Sequence, residues 1–246
     1  MYKPIYESYL SDEDKIVLET YGYGNGLGVN ANSRPAVLVV DATYMFVGEV
    51  REPIAEAVKR RRNACGDRAW HAMDALQGLL TAARAKGLPV IYTKGDAKPD
   101  LGRLGASALK QPPKPRTATS RNLRGDNEIV EEIAPEPGDI VISKQKPSAF
   151  FGTPLLSYLV ALKIDSLYIA GGATSGCVRG SVVDAFSNNY ACTIVADCCF
   201  DRFGASHDMT LFDLGSKYAA VETAAESIKQ IAALPNGMFA TKGGNP

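Results

Sequence analysis

A thiol at position 177, a carboxylate at 41 and an ammonium at 144 are the side chains of this 246-residue sequence best placed to do chemistry. Cys177 follows the turn GGATSG and opens a helical pattern. A thiol at a helix start feels the positive end of the helix dipole and unpaired N–H groups, which lower its pKa and favour thiolate. Asp41 directly follows AVLVV, and Lys144 follows DIVIS. A carboxylate can take the thiol proton while an ammonium stabilises the thiolate, so a nucleophile can be activated without imidazole. A Cys–His pair would have to use His71 or His207, the two histidines of the chain, and His71 lies beside Trp70 in a helical pattern that suits a packed or surface role.

Each residue also has an ordinary reading. Asp41 can cap a turn, Lys144 can be a solvated side chain and is favoured over nearby Lys146 only mildly by position, and Cys177 can be a small buried hydrophobe. That last reading is taken for Cys192, Cys198 and Cys199, on or beside an apolar run, while Cys65 in its polar, basic segment is incidental. Gly171 and Gly176 have phosphate-loop spacing, but Cys177 and Val178 occupy the places where Lys and Ser or Thr are required. The turn therefore argues against a nucleotide, and its converging N–H groups suit an oxyanion.

The elements that must position these residues alternate. Short branched runs end at Asp41, Thr93, Ser143, Gly171 and Asp197, and helical patterns cover Ala69 to Lys86, Thr153 to Leu162, Cys177 to Asn188 and Ser216 to Ile231. This predicts a three-layer α/β/α Rossmann-like fold with a parallel central sheet of about six strands. Ligands of such sheets bind beyond the carboxyl ends of the strands, where Asp41, Lys144 and Cys177 fall. Tyr44, Phe46 and Phe151, near the ends of the first and third strands, are candidate pocket walls, although aromatics there usually pack in the core.

Lys and Arg balance Asp and Glu at 27 each, which excludes the one-sided charge of a nucleic-acid binder. The polar, acidic N-terminus lacks the pattern of a secretory signal, and no apolar run reaches membrane-spanning length. Five cysteines without a Cys-x-x-Cys pair are expected to be free thiols in a reducing cytoplasm. The expected organisation is an arm over 1–33, a catalytic domain over 34–235 and a tail over 236–246. YGYGNGLG and the Pro-, Lys- and Gly-rich segment Gly95 to Asn127 are expected to be surface arms or loops, and TKGGNP to fray.

On these residues the sequence resembles the isochorismatase-like family of cysteine hydrolases, from about Arg34 through Val221. RPAVLVVD is similar to the family's first strand and catalytic aspartate, and KQKPSAFFGTPL to its lysine segment, which favours Lys144 over Lys146. GGATSGCVRGSVVDA is similar to the nucleophile turn. The resemblance implies Cys177 as nucleophile, oxyanion donors at Thr174 and Cys177, and a cis peptide between Ala173 and Thr174, with Ala173 beside the substrate. TSGCVR, Asp201-Arg202 and HDMTLFDLGSKYAAV are most similar to N-carbamoylsarcosine amidohydrolases, which implies a linear amide or carbamoyl substrate and a carboxylate contact at Arg202.

Maleamate, ureidoacrylate, biuret and nicotinamide-type amides are the alternatives, and a non-catalytic binding or assembly protein is the alternative of another class. DATYMFVG lacks the histidine of the metal-binding nicotinamidases, so no metal or cofactor is expected. Arg51 to Ala69 matches no pattern that bears on substrate choice. The resemblance also implies a homo-oligomer, a tetramer or a dimer.

Overall fold

Six parallel strands alternate with helices along the chain in a computed structural model that describes residues 8–21, 28–96 and 125–239. β1 (Pro35–Val40), β2 (Val90–Gly95), β3 (Ile140–Lys144), β4 (Ser166–Gly172), β5 (Ala191–Phe200) and β6 (Ala220–Glu222) stand in the order β3-β2-β1-β4-β5-β6. The helices are α1 (Asp12–Tyr21), α2 (Tyr44–Val47), α3 (Ile54–Arg60), α4 (Asp67–Ala85), α5 (Leu155–Ala161), α6 (Arg179–Ser187), α7 (Gly204–Lys217) and α8 (Ala224–Ala233).

The six residues PAVLVV of β1 are all buried because the strand feeds two cores. Val37 and Val39 face α4 and α8, with Met73, Leu76, Leu80 and Ile231. Ala36, Leu38 and Val40 face α5, α6 and α7, with Leu155, Leu159, Val182 and Leu211. Side chains on a strand alternate between faces, so an uninterrupted branched run marks a sheet covered on both sides. At about 25 cal/mol per Å² of apolar surface removed from water, the two cores are the main force holding the three layers together. The order of strands reverses direction between β1 and β4, and that switch point opens a crevice at the carboxyl edge.

One expected helix is corrected. The apolar stretch Ser216 to Ile231 contains the end of α7, the edge strand β6 and the start of α8. Thr223 and Glu226 form a reciprocal capping box that starts α8, a signal present in the sequence as T-x-x-E. The arm contains a helix, α1, with an acidic first turn. YGYGNGLG, most of Gly95 to Asn127 and TKGGNP lie outside the described residues. No described helix is long and apolar enough to cross a membrane.

Candidate active site

Asp41 follows β1 at φ 48°, in the left-handed region that aspartate tolerates better than most residues. Its N–H donates to the Thr93 carbonyl at 3.1 Å, and Thr93 Oγ1 donates to Asp41 Oδ1 at 3.0 Å. Lys144 ends β3, and its long stem reaches past the end of β2 to put Nζ 2.6 Å from Asp41 Oδ2, with the side chains 4% and 5% exposed. Nζ also donates to the Lys146 carbonyl at 3.0 Å. Of the two lysines, Lys144 carries the charge into the site and Lys146 contributes a backbone acceptor.

β4 ends in Gly171 and Gly172, where neighbouring chains leave no room for a side chain. Gly171 has φ 106°, and a Cβ there would overlap the Val40 carbonyl; one on Gly172 would enter the Phe200 ring. The close approach of β1 and β5 therefore requires both glycines. Next comes a π-helical turn, Thr174–Val178, a rare conformation that is frequent at functional sites. It runs into α6.

The cis peptide lies between Gly172 and Ala173, one bond earlier than the resemblance implies. The Ala173 carbonyl already belongs to the turn, because the N–H groups of Gly176 and Val178 donate to it at 3.0 and 3.2 Å.

The turn sets Cys177 near enough to the Asp41–Lys144 pair for both charges to act on its thiol, so the three expected side chains come together. The lowered thiol pKa expected at a helix start is not found. Burial pushes the thiol up to about 12, Asp41's negative charge adds to the rise, and Lys144 opposes it. The helix dipole loses here because desolvation and an adjacent carboxylate both disfavour thiolate.

The N–H groups of Ser175, Gly176 and Val178 are engaged, by Asp201 Oδ2 at 2.7 Å in the first case and by Ala173 in the others. Those of Thr174 and Cys177 make no hydrogen bond outside the turn among the described residues. Ser181 joins the turn to the lysine loop: its Oγ donates to the Cys177 carbonyl at 2.7 Å and accepts from Ala149 N–H at 2.9 Å.

The other candidates are placed differently. Tyr44 is a buried strut whose hydroxyl accepts from Glu131 N–H at 3.2 Å, and Phe46 packs against the α4 core, so both serve packing. Phe151 is 65% exposed. It lines an open groove of about 530 Å³ with Lys146, Gly176 and Arg179, beside the turn. Arg202, after β5, aims its fork at the Asn63 carbonyl, 3.4 Å away and next to Cys65, with no described contact to the Asp41, Lys144 and Cys177 side chains. Cys65 is fully buried. Among the described residues no group of His, Cys, Asp or Glu is arranged to hold a metal.

The Isochorismatase domain profile matches residues 35–226, which span every strand and all three of these side chains. The chain belongs to the isochorismatase family. Maleamate amidohydrolase of Pseudomonas putida is 34% identical over 160 residues, 65% of this chain and 74% of that protein. N-carbamoylsarcosine amidase of an Arthrobacter species is 33% identical over 165 residues, 65% of this chain and 61% of that protein. An isochorismatase-like hydrolase structure from Alkaliphilus metalliredigens superposes with a TM-score of 0.65 at 22% identity, covering 80% of this chain and 98% of that one, a likeness of fold.

Two contacts of the nucleophile-bearing turn were not legible in the sequence. His207 Nδ1 lies 2.8 Å from Thr174 Oγ1, and buried Asp201 holds Ser175. Both contacts span about thirty residues of sequence, and no local spacing announces them.

Proposed function

We propose that the chain is a cysteine-dependent amidohydrolase that cleaves the terminal C–N bond of a small linear amide or N-carbamoyl compound and releases ammonia. The observation that carries this reading is the buried ion pair of Asp41 and Lys144, at 2.6 Å, near enough to Cys177 for both charges to act on its thiol. Such a pair costs desolvation energy and is weak evidence for stability, so its place beside a nucleophile favours a chemical role.

Because the resting thiol is protonated, proton transfer to Asp41 accompanies attack of Cys177 Sγ on the carbonyl carbon. Lys144 then holds its positive charge against the sulfur and the carboxyl group. The oxyanion takes the N–H groups of Thr174 and Cys177, worth about 3 kcal/mol per donor in related chemistry. Asp41 passes the proton to the amide nitrogen as the C–N bond breaks, which gives ammonia and an acyl-thioester. Asp41 next takes a proton from water, the hydroxide displaces Sγ, and the proton returns to sulfur. A carbamoyl product would lose carbon dioxide.

The names of the relatives favour acyclic amides bearing a carboxylate, with maleamate and N-carbamoylsarcosine first and ureidoacrylate next. Biuret and nicotinamide complete a test panel. Ammonia release from one of these by wild type and its loss in Cys177→Ala are the expected result. Release that survives the substitution rules out the covalent mechanism, and silence across the panel removes the linear-amide reading. The same proposal includes a homo-oligomer, measured by sedimentation of the full chain.

A further inference from the structure

The segment that follows β5 touches the nucleophile turn at two successive residues. Asp201 is 2% exposed, and its Oδ2 accepts from Ser175 N–H and Ser175 Oγ, both at 2.7 Å, while Oδ1 accepts from Arg202 N–H at 2.7 Å. Six residues on, in the first turn of α7, His207 places Nδ1 2.8 Å from Thr174 Oγ1, and that hydroxyl lies 3.1 Å from the Phe200 carbonyl. The side chain of Thr174 is fully buried.

These contacts determine a tautomer. A carbonyl only accepts, so the one hydroxyl hydrogen of Thr174 goes to Phe200, and for both contacts to be hydrogen bonds His207 must donate from Nδ1. Thr174 Oγ1 then donates to the Phe200 carbonyl and accepts from His207, so its side chain is held from two elements at once. Ser175, the next residue, is pinned through its backbone and its side chain. The turn thus keeps one orientation, in which the N–H groups of Thr174 and Cys177 have no partner outside the turn among the described residues.

We propose that the junction between β5 and α7 is a clamp in which His207 and Asp201 are positioning residues for the oxyanion-binding N–H groups of the nucleophile turn. The proposal rests on the amidohydrolase reading above. Neither residue reaches a reacting atom; each acts through Thr174 or Ser175. Misplacing the donors raises the barrier and leaves ground-state binding nearly unchanged, because the oxyanion forms only as the reaction proceeds.

The test uses the amide that wild type hydrolyses best and the variants His207→Asn, His207→Gln, His207→Phe and Asp201→Asn, each in the full chain. An asparagine amide overlays Nδ1 of histidine, and a glutamine amide overlays Nε2. We expect kcat to fall about 10- to 100-fold in His207→Gln, His207→Phe and Asp201→Asn with KM within about threefold, and His207→Asn to keep most of the wild-type kcat.

Equal kcat in the Asn and Gln variants, or a wild-type kcat in the Phe variant, overturns the clamp. An effect confined to KM or to the thermal midpoint marks a packing role and overturns it as well. The Asn and Gln pair stays informative if Phe is not accommodated, since the two are alike in polarity. If Cys177→Ala abolishes activity while His207 and Asp201 variants are neutral, the clamp fails and the amidohydrolase reading stands. If Cys177→Ala is active, or wild type is silent, that reading fails and the clamp falls with it.

Discussion

The two ends of β3 carry similar ion pairs in different surroundings. At the carboxyl end, Lys144 meets Asp41, and both side chains are at most 5% exposed. At the amino end, Asp139 meets Arg84 of α4 at 2.6 Å, with the side chains 8% and 21% exposed. Arg84 also reaches Glu136 at 2.8 Å and the Tyr92 hydroxyl at 2.9 Å, while Glu136 N–H donates to Asp139. That cluster ties a helix end to two strands and a turn. The carboxyl-end pair ties no helix, has a thiol beside it, and sits at the switch point where the sheet opens. A buried charge pair alone therefore says little about role; its position on the strand and its third partner decide.

The largest expected effect separates the ends by rate. On the proposed mechanism Asp41→Asn should lower kcat by about 10³- to 10⁴-fold, whereas Asp139→Asn should leave kcat within about twofold. Steady-state ammonia release on one substrate measures both, and comparable losses at the two ends would erase the contrast.

Stability should separate them in the other direction. Lys144→Met strands the Asp41 carboxylate and should cost about 3 kcal/mol, but adding Asp41→Asn should return most of that. Arg84→Met should cost about 1–3 kcal/mol, and pairing it with Asp139→Asn should return less, because Tyr92, Glu136 and the turn also lose their partner. Urea midpoints of wild type, the four single variants and the two double variants give the two cycles.

The thiol sharpens the contrast further. With its proton held up to about 12, Cys177 should be alkylated slowly near pH 7, with a rate still rising above pH 9. Asp41→Asn removes a charge that raises the thiol pKa and should speed labelling at fixed pH; Lys144→Met should slow it. Asp139→Asn should do neither. Mass spectrometry of the Cys177 peptide after timed iodoacetamide exposure reads these rates, and a labelling midpoint below pH 8 would contradict the burial argument.

The smallest effect concerns His207, which burial holds below its ordinary 6.5. The unfolded chain then binds the proton more readily, so this contribution to stability is intact above pH 6.5 and is lost as pH falls from there toward the folded value. Replacing His207 by Asn should flatten that part of the stability-versus-pH curve. An unchanged slope would show that other groups dominate the window.

Much of this protein was written locally. Branched runs such as AVLVV and SLYIA name buried strands because both faces of a parallel sheet must be apolar, and a turn of GGATSG before Cys177 has few other uses. The order of those signals placed Asp41, Lys144 and Cys177 at strand ends on one edge. Tertiary structure decided what depends on distance between strands. It alone buries the thiol beside a carboxylate and so reverses the pKa shift that a helix start suggests, and it alone moves the cis bond to Gly172, where β1 and β5 close in.

It also divides Ser216 to Ile231 at β6, because a three-residue edge strand is too short to show a period of its own. Tyr44 and Phe46 were drawn into packing, and His207 and Asp201 were brought onto the turn, by contacts between segments far apart in the chain. Local pattern records which face of an element is buried; which side chain meets which across the crevice depends on the relative placement of whole elements, and no single stretch of sequence encodes that.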